Sequence, residues 1–204
     1  GTEISRNVIH GIENTNTGTG GYDVVGIGAT STSTNLRITG NRIYDLRNAS
    51  TSTTTTAPGT ASGIMFRQPS TTDSMLVANN MISLGDGQST DTEFHGIWLQ
   101  SSPGTAPVAI LYNSIAISGT AGGTPLMSSF CVLKGDNTTT SVTRVTYLRN
   151  NLLYNERSGG STKHYAVGNV GTSAATGWTN TASDFNLFVS PDPATLGFWN
   201  ASDQ

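Results

Sequence analysis

The sequence predicts an all-β chain folded as a right-handed, single-stranded parallel β-helix. It has about six coils of three short strands, joined by long Thr-, Ser- and Gly-rich loops. Three observations predict it. One asparagine-centred motif recurs six times at near-equal intervals. A second apolar block recurs between its copies. No stretch of helical length repeats apolar residues at helical spacing.

The motif is an apolar residue, two variable residues, Asn, one variable residue and a second apolar residue. It runs Ile4 to Ile9, Ile38 to Ile43, Val77 to Ile82, Ile110 to Ile115 and Tyr147 to Leu152, with a degenerate copy from Ser183 to Phe188. Its asparagines are Asn7, Asn41, Asn80, Asn113, Asn150 and Asn186, separated by 34, 39, 33, 37 and 36 residues. Asn tolerates the left-handed backbone of a tight corner between strands. Stacked once per coil, its amide can bond the same corner above and below. The six are therefore expected to form a structural ladder rather than a ligand site.

The second block reads Val25-Gly26-Ile27, Gly63-Ile64-Met65-Phe66, Gly96-Ile97-Trp98-Leu99, Phe130-Cys131-Val132-Leu133 and Tyr165-Ala166-Val167. Each period thus carries three short strands that always run in the same chain direction. Hairpins cannot do this. A winding coil can, with each strand about 4.8 Å from its counterpart one turn on. Alternation places Leu36 and Ile38, Met75 and Val77, Val108 and Ile110, and Val145 and Tyr147 inward on the strand entering the corner. Ile43, Ile82 and Ile115 face inward on leaving it. Ile27, Ile64 and Ile97 fill the third side.

At 204 residues the chain suits one core, and residues 1–204 are read as a single domain. Only 11% of residues are charged, the net charge is −3, and no basic cluster exists to hold a phosphate backbone, so nucleic acid is not an expected partner. No apolar run reaches bilayer length, so no membrane span is expected. Low charge with abundant Thr and Ser suits an extracellular or cell-surface setting. Cys131 is alone and sits in an apolar run, where a buried thiol is expected. The chain begins at Gly1 with no initiator Met or signal peptide, the look of a processed or excised part of a longer chain.

With these motifs the chain resembles the parallel β-helix repeat family of pectate-lyase-like proteins. It is most similar to repeat regions of very large secreted surface proteins of the Bacteroidota type. Ile110 to Gly119, Arg149 to Asn155 and Ser183 to Phe188 carry that resemblance. It implies a fold and a role in adhesion, stalks or envelope structure. It also implies, for the lyases and hydrolases of the superfamily, clustered carboxylates on one external sheet. Here the acids fall on different sides of the coil, and catalysis is not expected.

The loop holding Asp86, Asp91 and Glu93 offers three carboxylates within eight residues, a candidate Ca²⁺ loop that lacks the full EF-hand pattern. No other cofactor is expected. His10, His95 and His164 show no metal-ligand spacing. Trp98 and Met65 should point outward, with His95 and Tyr165 close by, and the rings of Trp98 and Tyr165 could stack on sugars or lie beneath a long loop. Sequons at Asn48, Asn137 and Asn200 mark candidate glycosylation sites. A solenoid's open ends expose unpaired strands, so the chain is expected either to continue into a neighbouring domain of a longer chain or to stack with copies of itself end to end. The functional expectation is a non-catalytic structural or adhesive module, with a carbohydrate-active or carbohydrate-binding β-helix as the alternative and surface polysaccharide as the partner.

Overall fold

The computed structural model describes residues 1–30, 35–52, 57–67, 73–101, 106–122, 128–135, 144–170, 183–199 and 202–203. These residues form a parallel β-solenoid. The first sheet stacks Glu3–Ser5, Arg37–Thr39, Met75–Ala78, Val108–Leu111, Thr146–Arg149 and Ser183–Asp184. The second stacks Val8–Ile9, Arg42–Tyr44, Met81–Leu84, Ser114–Ile117, Leu152–Asn155 and Leu187–Val189. The long sheet stacks Asp23–Ala29, Thr60–Arg67, Glu93–Ser101, Ser129–Lys134, His164–Asn169 and Gly197–Trp199, and ends in the antiparallel Ser202–Asp203. Short pairings, Ile12–Asn14 with Leu46–Asn48 and Ser89–Thr90 with Thr120–Ala121 and Ser158–Gly159, mark a further corner. Among the described residues the only helical element is the 3₁₀ turn Pro193–Thr195.

The amide corner joins the first sheet to the second. At each step the backbone N–H and Nδ2 of one asparagine donate to Oδ1 of the next. Asn7 bonds Asn41 at 3.0 and 2.9 Å, Asn41 bonds Asn80 at 3.0 and 2.9 Å, and Asn80 bonds Asn113 at 3.0 and 2.9 Å. Asn113 then bonds Asn151 at 2.9 and 3.0 Å, and Asn151 bonds Asn186 at 3.0 and 2.9 Å. The Nδ2 groups of Asn41, Asn80, Asn113, Asn151 and Asn186 also donate back one coil, to the carbonyls of Ile4, Ile38, Val77, Ile110 and Leu148 respectively. Each buried amide is thereby satisfied in both directions, as a dry corner requires.

Two expectations need correction here. The fifth rung is Asn151, not Asn150. Asn150 stands one position earlier, with φ +57°. The left-handed residue is therefore not the ladder asparagine but the residue before it: Arg6, Gly40, Asn79, Tyr112, Asn150 and Phe185 all have φ between +53° and +68°. The one-residue shift also reverses the fifth strand of the first sheet, because side chains alternate with period two. Leu148 is buried at the inward position, and Tyr147 faces solvent.

The remaining inward residues stack in register. Ile38, Val77, Ile110 and Leu148 form one aliphatic column, Ile43, Ile82, Ile115 and Leu153 a second, and Ile64, Ile97 and Val132 a third. Full burial of each such side chain contributes about 1.5–3 kcal/mol. The corner asparagines Asn41, Asn80, Asn113 and Asn151 are buried, whereas Asn7 and Asn186 are not. The expected six coils thus resolve into four enclosed turns between two terminal ones that have a neighbour on one side only.

The glycines of the second block have a packing cause. A Cβ on Gly26, Gly63 or Gly96 would lie 2.4–2.7 Å from the γ2 methyl of Ile43, Ile82 or Ile115, and as close to a neighbouring carbonyl. The second and long sheets converge there, and the missing Cβ makes room for a β-branched residue opposite. In the next two coils, Cys131 and Ala166 take this place and both are fully buried.

Candidate functional site

The outer faces of the long and second sheets differ. On the long sheet the outward residues Met65, Trp98, Phe130, Leu133 and Tyr165 form a second apolar cluster, packed with Val25, Val170 and Phe198. Trp98 is only 6% exposed and Tyr165 only 5%. The Trp98 indole N–H donates to the Gly135 carbonyl at 2.8 Å. Tyr165 stacks on Phe130 at 5.1 Å and lies tilted by 53° against Phe198 at 5.2 Å, and its hydroxyl donates to Asp203 at 2.8 Å. Trp98 points outward as expected, with Tyr165 beside it in the same cluster, but both rings are covered. They do not offer a sugar-stacking surface.

Beneath that cover lies a polar line the sequence reading did not identify. Ser62 Oγ is 3.4 Å from His95 Nδ1, and His95 Nε2 is 3.2 Å from Glu93 Oε1. Serine, base and acid are neighbours, but His95 Nε2 makes no hydrogen bond to the Glu93 carboxylate, and all three are buried, with the Trp98 ring 4.4 Å from the imidazole. Among the described residues the Ser62 hydroxyl is closed off from solvent. The only sequence signal was the i, i+2 spacing of Glu93 and His95 on one strand.

Asp86, Asp91 and Glu93 do not converge. Asp86 is exposed, Glu93 is buried against His95, and among the described residues no three His, Cys, Asp or Glu side chains gather to hold a metal ion. Nearby, Arg157 is fully buried, with its guanidinium donating to the Thr92 and Thr90 carbonyls at 2.7 and 2.6 Å and lying 4.7 Å over Phe94. Burial draws its pKa down to about 10, against the raising influence of Glu93 and Asp91. It ties the corner from inside.

The sequon at Asn48 is also corrected. Asn48 is 4% exposed, and its Nδ2 donates to the Tyr22 and Thr60 carbonyls at 2.6 and 2.8 Å. Its Oδ1 accepts from Asn14 Nδ2 at 2.8 Å. That amide is fully engaged and closed to a glycosyl transferase. Asn137 and Asn200 lie outside the described residues. Cys131 is buried, and burial pushes its thiol pKa up, away from reactivity.

The second sheet's outer face is open. One outward column runs Val8, Arg42, Met81, Ser114, Leu152 and Leu187, all exposed, with Met81 at 60%. The next runs Tyr44, Ser83, Ala116 and Tyr154 on four adjacent strands. Below Tyr44 the His10 ring continues the stack, with centroids 4.9 Å apart and planes 3° from parallel. The Arg42 guanidinium lies 4.8 Å from the Tyr44 centroid. At the far side the Tyr154 hydroxyl donates to Glu156 at 2.8 Å, and that carboxylate raises its pKa.

The aromatic stack is therefore interrupted for two strands, where Ser83 and Ala116 supply only small side chains. The gap opens into a groove of about 650 Å³, whose rim carries Asp45, Arg47, Asp86 and Gln88. Arg47 Nε donates to Asp45 Oδ1 at 2.7 Å, so these two charges cancel. Two aromatic walls, a small-residue floor and forked polar groups at the rim make a site for a flat ligand rich in hydroxyls. No strand alone reveals it, because the four floor and wall residues come from four different coils. Compared with known proteins, the chain matches no family model, no curated protein and no solved structure.

Proposed function

We propose that this chain is a non-catalytic extracellular module, a rigid structural and adhesive rod that meets surface polysaccharide through the outer face of its second sheet. The single observation that carries the reading is the contrast between faces: the aromatic residues of the long sheet are sealed, while the groove between Tyr44 and Tyr154 stands open. The stacked amide corners support the rod, since each coil is bonded to the next through buried groups. The resemblance of the repeat to large Bacteroidota-type surface proteins agrees with this reading and is part of the proposal. So is end-to-end addition of a second copy through the edges of Glu3–Ser5 and Ser183–Asp184.

The test is co-sedimentation with insoluble cell-surface and plant polysaccharides, read together with an assay for released reducing or unsaturated ends. Binding without release is expected. Release of products overturns the non-catalytic reading, and failure to sediment with any polysaccharide overturns the adhesive one. Analytical ultracentrifugation across concentration tests end-to-end addition, and a strictly monomeric species removes it.

A further inference from the structure

Resting on that adhesive reading, we infer that the slot between Tyr44 and Tyr154 binds a neutral, extended β-linked glycan. It lies along the solenoid axis, across the strands rather than along one of them.

Orientation follows from register. Tyr44, Ser83, Ala116 and Tyr154 occupy the same outward position on four consecutive strands. Neighbouring strands are about 4.8 Å apart, so the two tyrosines stand about 14 Å apart along the axis. One pyranose unit of an extended β-linked chain advances by close to one strand spacing. The glycan and the floor are thus nearly commensurate, and successive sugars meet equivalent positions.

The ligand's charge follows from the rim. Arg47 is neutralised by Asp45, and Arg42 faces the same groove as Asp86. With Glu156 held on the Tyr154 hydroxyl as well, the charges around the slot have no positive excess to draw an anion. They suit vicinal hydroxyls, which both accept from a guanidinium and donate to a carboxylate. The small side chains of Ser83 and Ala116 admit sugar rings, and Tyr154 adds an aromatic side chain to the lining.

The experiment is calorimetric titration of the full chain with neutral hexasaccharides of β-1,4-glucan, β-1,4-mannan and chitin, with hexagalacturonate as the anionic arm. Ser83 is exposed and Tyr154 partly so, and Tyr154→Ala and Ser83→Trp are checked for an unchanged melting profile. At least one neutral hexasaccharide is expected to bind. Tyr154→Ala should weaken it tenfold or more, and Ser83→Trp, which fills the slot, should abolish it. Affinity unchanged in both variants, preference for the anionic arm, or no hexasaccharide binding by a chain that still sediments with polysaccharide each overturns this site while leaving the adhesive reading intact. A chain that neither sediments nor titrates overturns both.

Discussion

Asn151 Oδ1 accepts two hydrogen bonds from Asn113, one from its backbone N–H at 2.9 Å and one from its side-chain amide at 3.0 Å. One oxygen thereby holds both the main chain and the side chain of the coil before it. Every rung repeats this, so the ladder couples coils more tightly than a side-chain stack alone.

Loss of one central rung should accordingly be severe. Asn113→Ala strands the backbone N–H and amide of Asn80 in a dry corner, and removes the Nδ2 bonds to the Val77 and Leu111 carbonyls. Each orphaned group costs about 1–3 kcal/mol, giving about 3–5 kcal/mol in all. Asn7→Ala, at the solvated end, should cost under about 1 kcal/mol. Urea unfolding of the two variants checks the difference, and equal costs would falsify a buried ladder.

The adjacent pair Asn150 and Asn151 separates the corner's two tasks. Asn150 supplies the left-handed backbone at φ +57°, and Asn151 supplies the bonding amide. Asn150→Gly should leave stability unchanged within about 0.5 kcal/mol, because Gly adopts that backbone freely. Asn151→Gly should cost about 3 kcal/mol or more through lost rung bonds. Reversed ranking in the same unfolding assay would restore Asn150 to the ladder.

This pair also marks where the sequence stops being legible. Five rungs could be read from the motif because an apolar residue three positions earlier fixed, or in the degenerate copy the spacing fixed, which asparagine to take. The third and fifth coils each have two asparagines side by side, Asn79-Asn80 and Asn150-Asn151, but in the fifth Tyr147 passes for an inward apolar residue as readily as Leu148. Only pairing with Val108–Leu111 fixes the register. The Gly-Ile signature was likewise visible while its cause, the opposing γ2 methyls, was not, since those methyls lie some seventeen to nineteen residues away in sequence. The groove was not legible at all, because outward residues follow no hydrophobic pattern.

The glycine column makes its own prediction. Gly63→Ala places a Cβ 2.7 Å from Ile82 Cγ2 and 2.7 Å from the Gly96 carbonyl. Overpacking of this kind costs about 1–3 kcal/mol. Ile82→Leu, which removes the branch, should recover part of the loss in the double variant but not the part due to the carbonyl. A fully additive pair in thermal unfolding would show that the two side chains do not meet.

His164 gives the fold an acid limit. Burial, and after it the charge of Arg157, lowers its pKa from 6.5 to about 4, against a smaller opposing pull from the Gly159 carbonyl. The unfolded chain takes up a proton near pH 6.5 that the folded chain refuses until near pH 4. Stability is therefore full above pH 6.5 and declines as pH falls toward 4, by about 2 kcal/mol between pH 7 and pH 5. His164→Gln should flatten that slope in urea titrations at the two pH values. An unchanged slope would move the acid sensitivity to other groups.

Two aromatic residues on different faces finally distinguish cover from site. Trp98 is enclosed by the long sheet's own cluster, so Trp98→Ala should cost about 3–5 kcal/mol through the cavity it leaves and the indole bond it loses. Tyr154 belongs to the open face, and Tyr154→Ala should change stability by no more than about 0.5 kcal/mol. Large aromatic side chains fall into both classes in this chain, and only burial separates them. If guanidinium unfolding found Trp98→Ala harmless and Tyr154→Ala ruinous, the assignment of sealed and open faces would be inverted, and the glycan would have to be sought on the long sheet.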